Sequence, residues 1–229
     1  MKTTRAGRNE LDAMVVNIEL TLSSIIQGVA LYFLTENAHA ALEEGWTAAP
    51  YVAVGLVLIL LFWSRSLIHT LTLIRWPLEF PHNFFYIACT LVEAIAFTHL
   101  SDPFLWFVWN ALFAALVWAV FAYDLRMVRM RKADSRGEDA SRLYKIVMQD
   151  QWLNIVFLVP AILLFNAAAA IAIHARPDFF LLRRGHLLLI ATQGVGFLIY
   201  LVYVIRAFVK LTPLIAAARE EWRAAEASH

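Results

Sequence analysis

The chain has 229 residues, and 61% of them are hydrophobic. Soluble domains average about 45–50% apolar residues, so the excess needs a bilayer rather than water to cover it. Nineteen Lys and Arg nearly balance 18 Asp and Glu, which excludes a basic domain built for nucleic acid. The one cysteine, Cys89, sits in an apolar run, which excludes a disulfide framework and reads as packing.

A crossing helix needs about 20 mostly apolar residues. Six segments qualify, which predicts an all-α integral membrane protein with one six-span domain over residues 1–229. The first span is Ala13–Leu34. Lys2, Arg5 and Arg8 precede it, but the apolar run is too long for a signal-peptide core, and no small-residue cleavage site follows. It is read as a retained span. The second is Tyr51–Ile74, ended by Trp76-Pro77, because proline cannot continue a helix. The third is Asn83–Leu100. Asp102-Pro103 then closes it and opens the fourth, Pro103–Tyr123. A charged cytoplasmic loop covers 124–150, and its Arg142–Asp150 part suits a short surface helix. The fifth span is Gln151–His174 and the sixth His186–Val209, before a helix-prone cytoplasmic tail at 210–229. The two halves of the chain show no internal repeat.

With the N-terminus inside, sixteen of the 19 basic residues fall in inner segments, and the outer loops keep only Arg176, Arg183 and Arg184. The positive-inside rule therefore predicts cytoplasmic termini. Trp46, Tyr51, Trp76, Trp106, Tyr123 and Trp152 lie near span ends, where amphipathic rings favour the headgroup layer. The basic stretch 126–145 suits anionic lipid headgroups, at about 1 kcal/mol per juxtamembrane cation.

Polar residues inside the spans are the candidates for function, since lipid cannot satisfy them. The first span carries Asn17, Thr21, Ser24 and Gln27 at helical spacing, a stripe suited either to helix–helix hydrogen bonds or to a pore lining. Glu19, about 10 Å deep, and Arg65, about 9 Å from the inner face, fall at matching depth and are expected either to pair or to leave Glu19 on a pathway. Glu93 lies near mid-membrane, where a carboxyl group must protonate, pair or face water. Asn110, Asn166, Thr192 and Gln193 sit in the central or outer half of their spans and are candidates to solvate it.

His99, His174 and His186 converge on the outer side, while His69 and His82 lie inside. Histidines on different spans can ligate haem iron, and three with a carboxylate can hold a metal, so the outer three are the candidate metal ligands. Local motifs for catalysis or haem attachment are missing: no G-x-S-x-G, no H-E-x-x-H, no C-x-x-C-H. No catalytic residue is assigned, and no cofactor is predicted from a motif.

Six spans, inside termini, a polar first helix and the second-span stretch LILLFWSRSLIHTLTLI, with Phe62-Trp63, resemble the bacterial members of the endosomal/lysosomal potassium-channel family. The resemblance implies a first helix lining a tetrameric pore and a bacterial inner (plasma) membrane location. The family's first-helix Arg…Phe-Ser-Asp-Gly signature is not present here, and no residue role is carried over. Three function classes follow. The first is a homo-oligomeric channel or small transporter for an ion or small solute, with the first-span stripe and Glu93 near the path. The second is a membrane-embedded haem or metal redox protein using the outer histidines. The third is a non-catalytic sensor or scaffold.

Overall fold

Where no water reaches the backbone, each amide must bond within its own segment, and a helix does this by local geometry alone. The computed structural model obeys that constraint in all its regular elements. It describes residues 2–72, 80–134 and 137–227, without the side chains of residues 2–13, 15, 16, 19, 80, 131, 133, 134 and 225–227. The α-helices are α1 (Lys2–Glu44), α2 (Ala49–Thr72), α3 (Phe80–Phe97), α4 (Pro103–Asp134), α5 (Glu138–Leu153), α6 (Val159–Ala175) and α7 (His186–Ala227). Trp46–Thr72, Pro103–Met130, Glu138–Ala175 and His186–Ala224 are long and apolar enough to cross a membrane. Their outward residues are those that lipid, not water, would cover: Leu164, Ile171, Leu188, Ile199 and Val209 are all exposed.

Local chemistry sets the helix ends. Asp102 accepts from the Leu105 amide at 3.0 Å, capping α4, and Pro103 takes the first helical position, where its missing N–H costs nothing. The α5 start is capped from far away in sequence. Glu221 on α7 accepts from the Glu138 amide at 2.8 Å and from the Ala140 amide at 3.2 Å. A Cβ at Gly137 would meet the Glu221 carboxylate, so any larger residue there would shift the cap. Between α5 and α6 the chain makes a π-helical turn, Asn154–Leu158, and the Ile155 carbonyl accepts from Trp118 Nε1 at 2.9 Å.

The bundle is built by α2 packing on α7, α4 on both α3 and α6, and α1 against α2 and α3, while α5 lies on α7 and α4. Where α1, α2 and α3 meet, side chains of Leu34 and Phe97 pack against Gly55. A Cβ there would sit 2.9 Å from Leu34 and 3.1 Å from Phe97.

Several boundaries differ from the sequence reading. The first predicted span is the middle of a 43-residue helix. The stretch 124–150, read as a loop, is helical through Asp134 and again from Glu138, with Leu143, Tyr144 and Val147 buried on one face. The sixth span and the tail form one helix of 42 residues, with Pro213 inside it. Hydropathy marks where side chains are apolar, whereas helical hydrogen bonding continues for as long as one face finds something to pack on. Trp76-Pro77, the expected end of the second span, lies outside the described residues.

Candidate functional site

A set of polar side chains is buried inside the bundle. His69 in the last turn of α2, His82 in the first turn of α3 and Asp124 within α4 are all buried and meet at one point. His69 Nε2 lies 3.4 Å from Asp124 Oδ2, and His82 Nε2 lies 3.3 Å from Asp124 Oδ1. The other ring nitrogen of each histidine faces an amide: Gln151 Nε2 is 3.2 Å from His69 Nδ1, and Asn83 Oδ1 is 3.3 Å from His82 Nδ1.

One helical turn away, Arg65 donates to Asp150 Oδ2 at 2.7 Å, and Tyr203 donates to Asp150 Oδ1 at 2.6 Å. The guanidinium also lies over the Phe121 ring, 5.0 Å from its centre. Beside this pair Tyr200 donates to the side chain of Asn154, the first residue of the π-helical turn. A buried ion pair of this kind holds α2, α5 and α7 in one arrangement, because breaking it strands a charge.

A cavity of about 70 Å³ connects the two clusters, with Arg65, His69, His82, Asp124 and Gln151 among its walls. The remaining walls are largely aromatic and aliphatic, including Phe62, Phe113, Phe121 and Phe197. The space is enough for several water-sized spheres, at about 10–15 Å³ each, and polar partners for them are at hand.

From His82 a buried file runs up α3. His82, Tyr86, Cys89 and Glu93 follow at spacings of four, three and four, on one face of the helix. Tyr86 Oη lies 3.0 Å from Ser23 Oγ, Ser23 lies 3.1 Å from Ser66, and Gln27 Nε2 reaches Tyr86 at 3.5 Å. Glu93 is 0% exposed. Gln27 reaches toward its carboxyl without closing a hydrogen bond, and neither Glu93 oxygen has a hydrogen-bond partner among the described residues. By helical rise the file spans about 16 Å, roughly half the thickness of a hydrocarbon core.

The other sequence candidates fall into two groups. Asn110, Asn166 and Gln193 are buried and linked: Trp106 Nε1 donates to Gln193 Oε1 at 2.9 Å, and Gln193 Nε2 donates to Asn166 Oδ1 at 2.8 Å. Asn110 donates to the Trp106 carbonyl at 2.9 Å. Thr192, named with them, is exposed and donates to the Leu188 carbonyl at 2.8 Å. In the first span the stripe divides. Gln27 faces α3, while Asn17, Thr21 and Ser24 are exposed on the far side of α1, where Ser24 donates to the Leu20 carbonyl at 2.9 Å. Arg65 pairs with Asp150; the side chain of Glu19, its expected partner, lies outside the described residues.

The outer histidines stay with separate aromatic neighbours. His99 stacks on Trp109, His174 lies against Phe104, and His186 Nδ1 is 2.9 Å from the Tyr51 hydroxyl. Among the described residues, the three groups whose ligand atoms cluster are His69, His82 and Asp124. Sequence reasoning passed over Asp124 and Asp150 because they stand at the ends of apolar runs, where charged residues ordinarily meet water. The available signal was topological: on the predicted path His69, His82 and Asp124 all lie near the inner ends of their spans. Phe62, from the second-span Phe-Trp pair, stacks on Tyr86 at 4.8 Å and lines the cavity, whereas Trp63 faces outward. Compared with known protein families, curated proteins and solved structures, the chain gives no match, so its function has to be read from the site itself.

Proposed function

We propose that the protein is an ion-handling membrane protein, a small transporter or channel. In this reading α1 and α3 cross the bilayer beside the four long apolar helices, giving six passes with cytoplasmic termini. The observation that carries it is the buried file from Asp124 and His82 through Tyr86 and Gln27 to Glu93. Polar and ionisable groups are costly inside a membrane, each by about 2.5–3.5 kcal/mol for a charged residue on insertion scales. A scaffold needs helix–helix hydrogen bonds, but not a carboxyl group at mid-membrane without a closed hydrogen bond. A cation or proton moving along the file would use that group, and the cavity beside His82 supplies room for water at its lower end.

Self-association is part of the proposal. Asn17, Thr21 and Ser24 lie on the outer face of α1 along with Gly28, and lipid offers such groups no partner. A second copy would cover them through close helix approach and hydrogen bonds across the interface.

Flux in reconstituted liposomes tests the reading. Glu93→Gln keeps the shape and removes the titratable proton, so it should change the ion selectivity or pH dependence of flux while leaving the fold intact. Equal flux and equal pH response in wild type and variant remove Glu93 from the mechanism. No flux of any cation or proton in either protein sinks the transport reading.

A further inference from the structure

We infer that His69, His82 and Asp124 form a binding site for a divalent first-row transition cation, with zinc the best match to the ligand set. The ion-handling reading is deepened by this only in the matter of cargo; the binding site itself stands on different observations.

The first observation is distance. Zinc bonds to nitrogen and oxygen at about 2.0–2.1 Å, so two ligand atoms of a tetrahedral ion lie about 3.3 Å apart. The two histidine–carboxylate separations are 3.4 and 3.3 Å. One ligand atom from each of the three residues lies within 4.8 Å of the other two, so gathering them on one ion requires only small side-chain rotations.

The second observation is the support behind the ligands. Both histidines present Nε2 to the carboxylate, with His82 Nδ1 against the acceptor Asn83 Oδ1. His69 Nδ1 accepts from Gln151 Nε2, so ligation through His69 Nε2 needs the Gln151 amide turned to bring Oε1 to an Nδ1–H. That Oε1 has no hydrogen-bond partner among the described residues. A metal-ligating histidine is ordinarily fixed in this way, its second nitrogen occupied so that the first keeps a lone pair toward the ion. If His82 Nδ1–H donates to Asn83 Oδ1, neutral His82 turns a lone pair toward a carboxylate. Two acceptors face to face need a cation or an extra proton between them.

The third is charge. Among the described residues Arg65 is the fixed cation on the cavity wall, and it is committed to Asp150 at 2.7 Å rather than to Asp124. Two imidazoles and one carboxylate suit zinc, with iron(II), cobalt(II) and nickel(II) close behind. Three protein ligands leave a fourth position, and here it would open on the cavity, where water or an exchanging ligand fits. The three ligands come from α2, α3 and α4, so binding would also tie those helices together.

The test uses the full chain, purified in detergent micelles without a histidine tag and stripped of metal. Added Co²⁺ should produce the visible bands of a tetrahedral nitrogen–oxygen site, saturating at one ion per chain and displaced by Zn²⁺. X-ray absorption of the zinc-loaded protein should give two imidazoles and an oxygen ligand in the first shell. Gln151→Ala, which removes the support of His69, should weaken binding by roughly 10–100-fold without abolishing it. His69→Ala/His82→Ala should abolish the bands. The inference is overturned by folded wild-type protein that takes up neither Co²⁺ nor Zn²⁺, which would leave a proton shared among the three groups. It is equally overturned by a first shell containing sulfur or lacking imidazole, or by a folded double variant that still binds. If the double variant does not fold, the X-ray absorption of wild type decides alone. Binding and flux separate the two proposals. Metal binding without flux removes the transport reading and keeps the site, whereas flux without metal binding does the reverse.

Discussion

Arg65 and Asp150, 85 positions apart in the chain, meet at 2.7 Å in the interior of the bundle. The pair joins α2 to α5, and Tyr203 brings α7 to the same carboxylate. Removing one partner of a buried pair leaves a stranded charge, at about 3–5 kcal/mol. Asp150→Asn should therefore destabilise the protein by that order. Arg65→Gln/Asp150→Asn should recover part of the loss, since both charges are then gone. Chemical denaturation of the two single variants and the double variant measures this, and strictly additive losses would show that the contact contributes nothing.

Gln193 bridges Trp106 and Asn166 through both ends of its amide. Gln193→Leu keeps the volume but leaves the Trp106 N–H and the Asn166 carbonyl without this partner. An unsatisfied buried group costs about 1–3 kcal/mol, so the variant should lose a few kcal/mol in all. Gln193→Glu, held neutral by burial, supplies an O–H donor in place of Nε2 and should cost less than Gln193→Leu. A thermal melting midpoint unchanged in Gln193→Leu would mean that water already serves these groups.

The proposed six-pass arrangement predicts where each connection emerges. Reporter fusions at Gly45 and at Gly185 should read the same side of the membrane, and a fusion at Arg136 the opposite side. Gly45 follows the last residue of α1, so a fusion there samples the connection and not the helix. A Gly45 reporter on the same side as Arg136 would reject α1 as a crossing.

The exposed stripe on α1 predicts contact between copies. Cysteine placed at Ser24, in a Cys89→Ser background, should form a disulfide between two chains in the membrane. Cysteine at Ile171, exposed on α6, serves as the comparison and should cross-link far less. Equal cross-linking at both positions would mean random collision, not an α1 interface.

Much of this architecture was legible in the sequence. Apolar runs of about 20 residues can only be helices where water is absent, so the all-α class followed from composition and run length. Of the polar residues placed deep within such runs, Glu93, Asn110, Asn166 and Gln193 are buried, whereas Thr192 and the first-span Asn17, Thr21 and Ser24 are exposed. Asp102-Pro103 announced the α4 start, because an N-cap acceptor and a fixed φ act within one turn. Local rules fix local structure. The site was of another kind. His69 and Asp124 lie 55 positions apart, Arg65 chose Asp150, and Glu221 caps a helix that begins 83 residues before it. Helical period states which face a residue occupies but not which helix will lie against that face. That choice belongs to the packing of whole helices, as where Leu34 and Phe97 pack against Gly55. The sequence by itself thus determined a helical, apolar protein with polar groups inside its apolar runs. Only the tertiary structure decided that two histidines and an aspartate, not the outer histidines, would share a point, because three helices converge there.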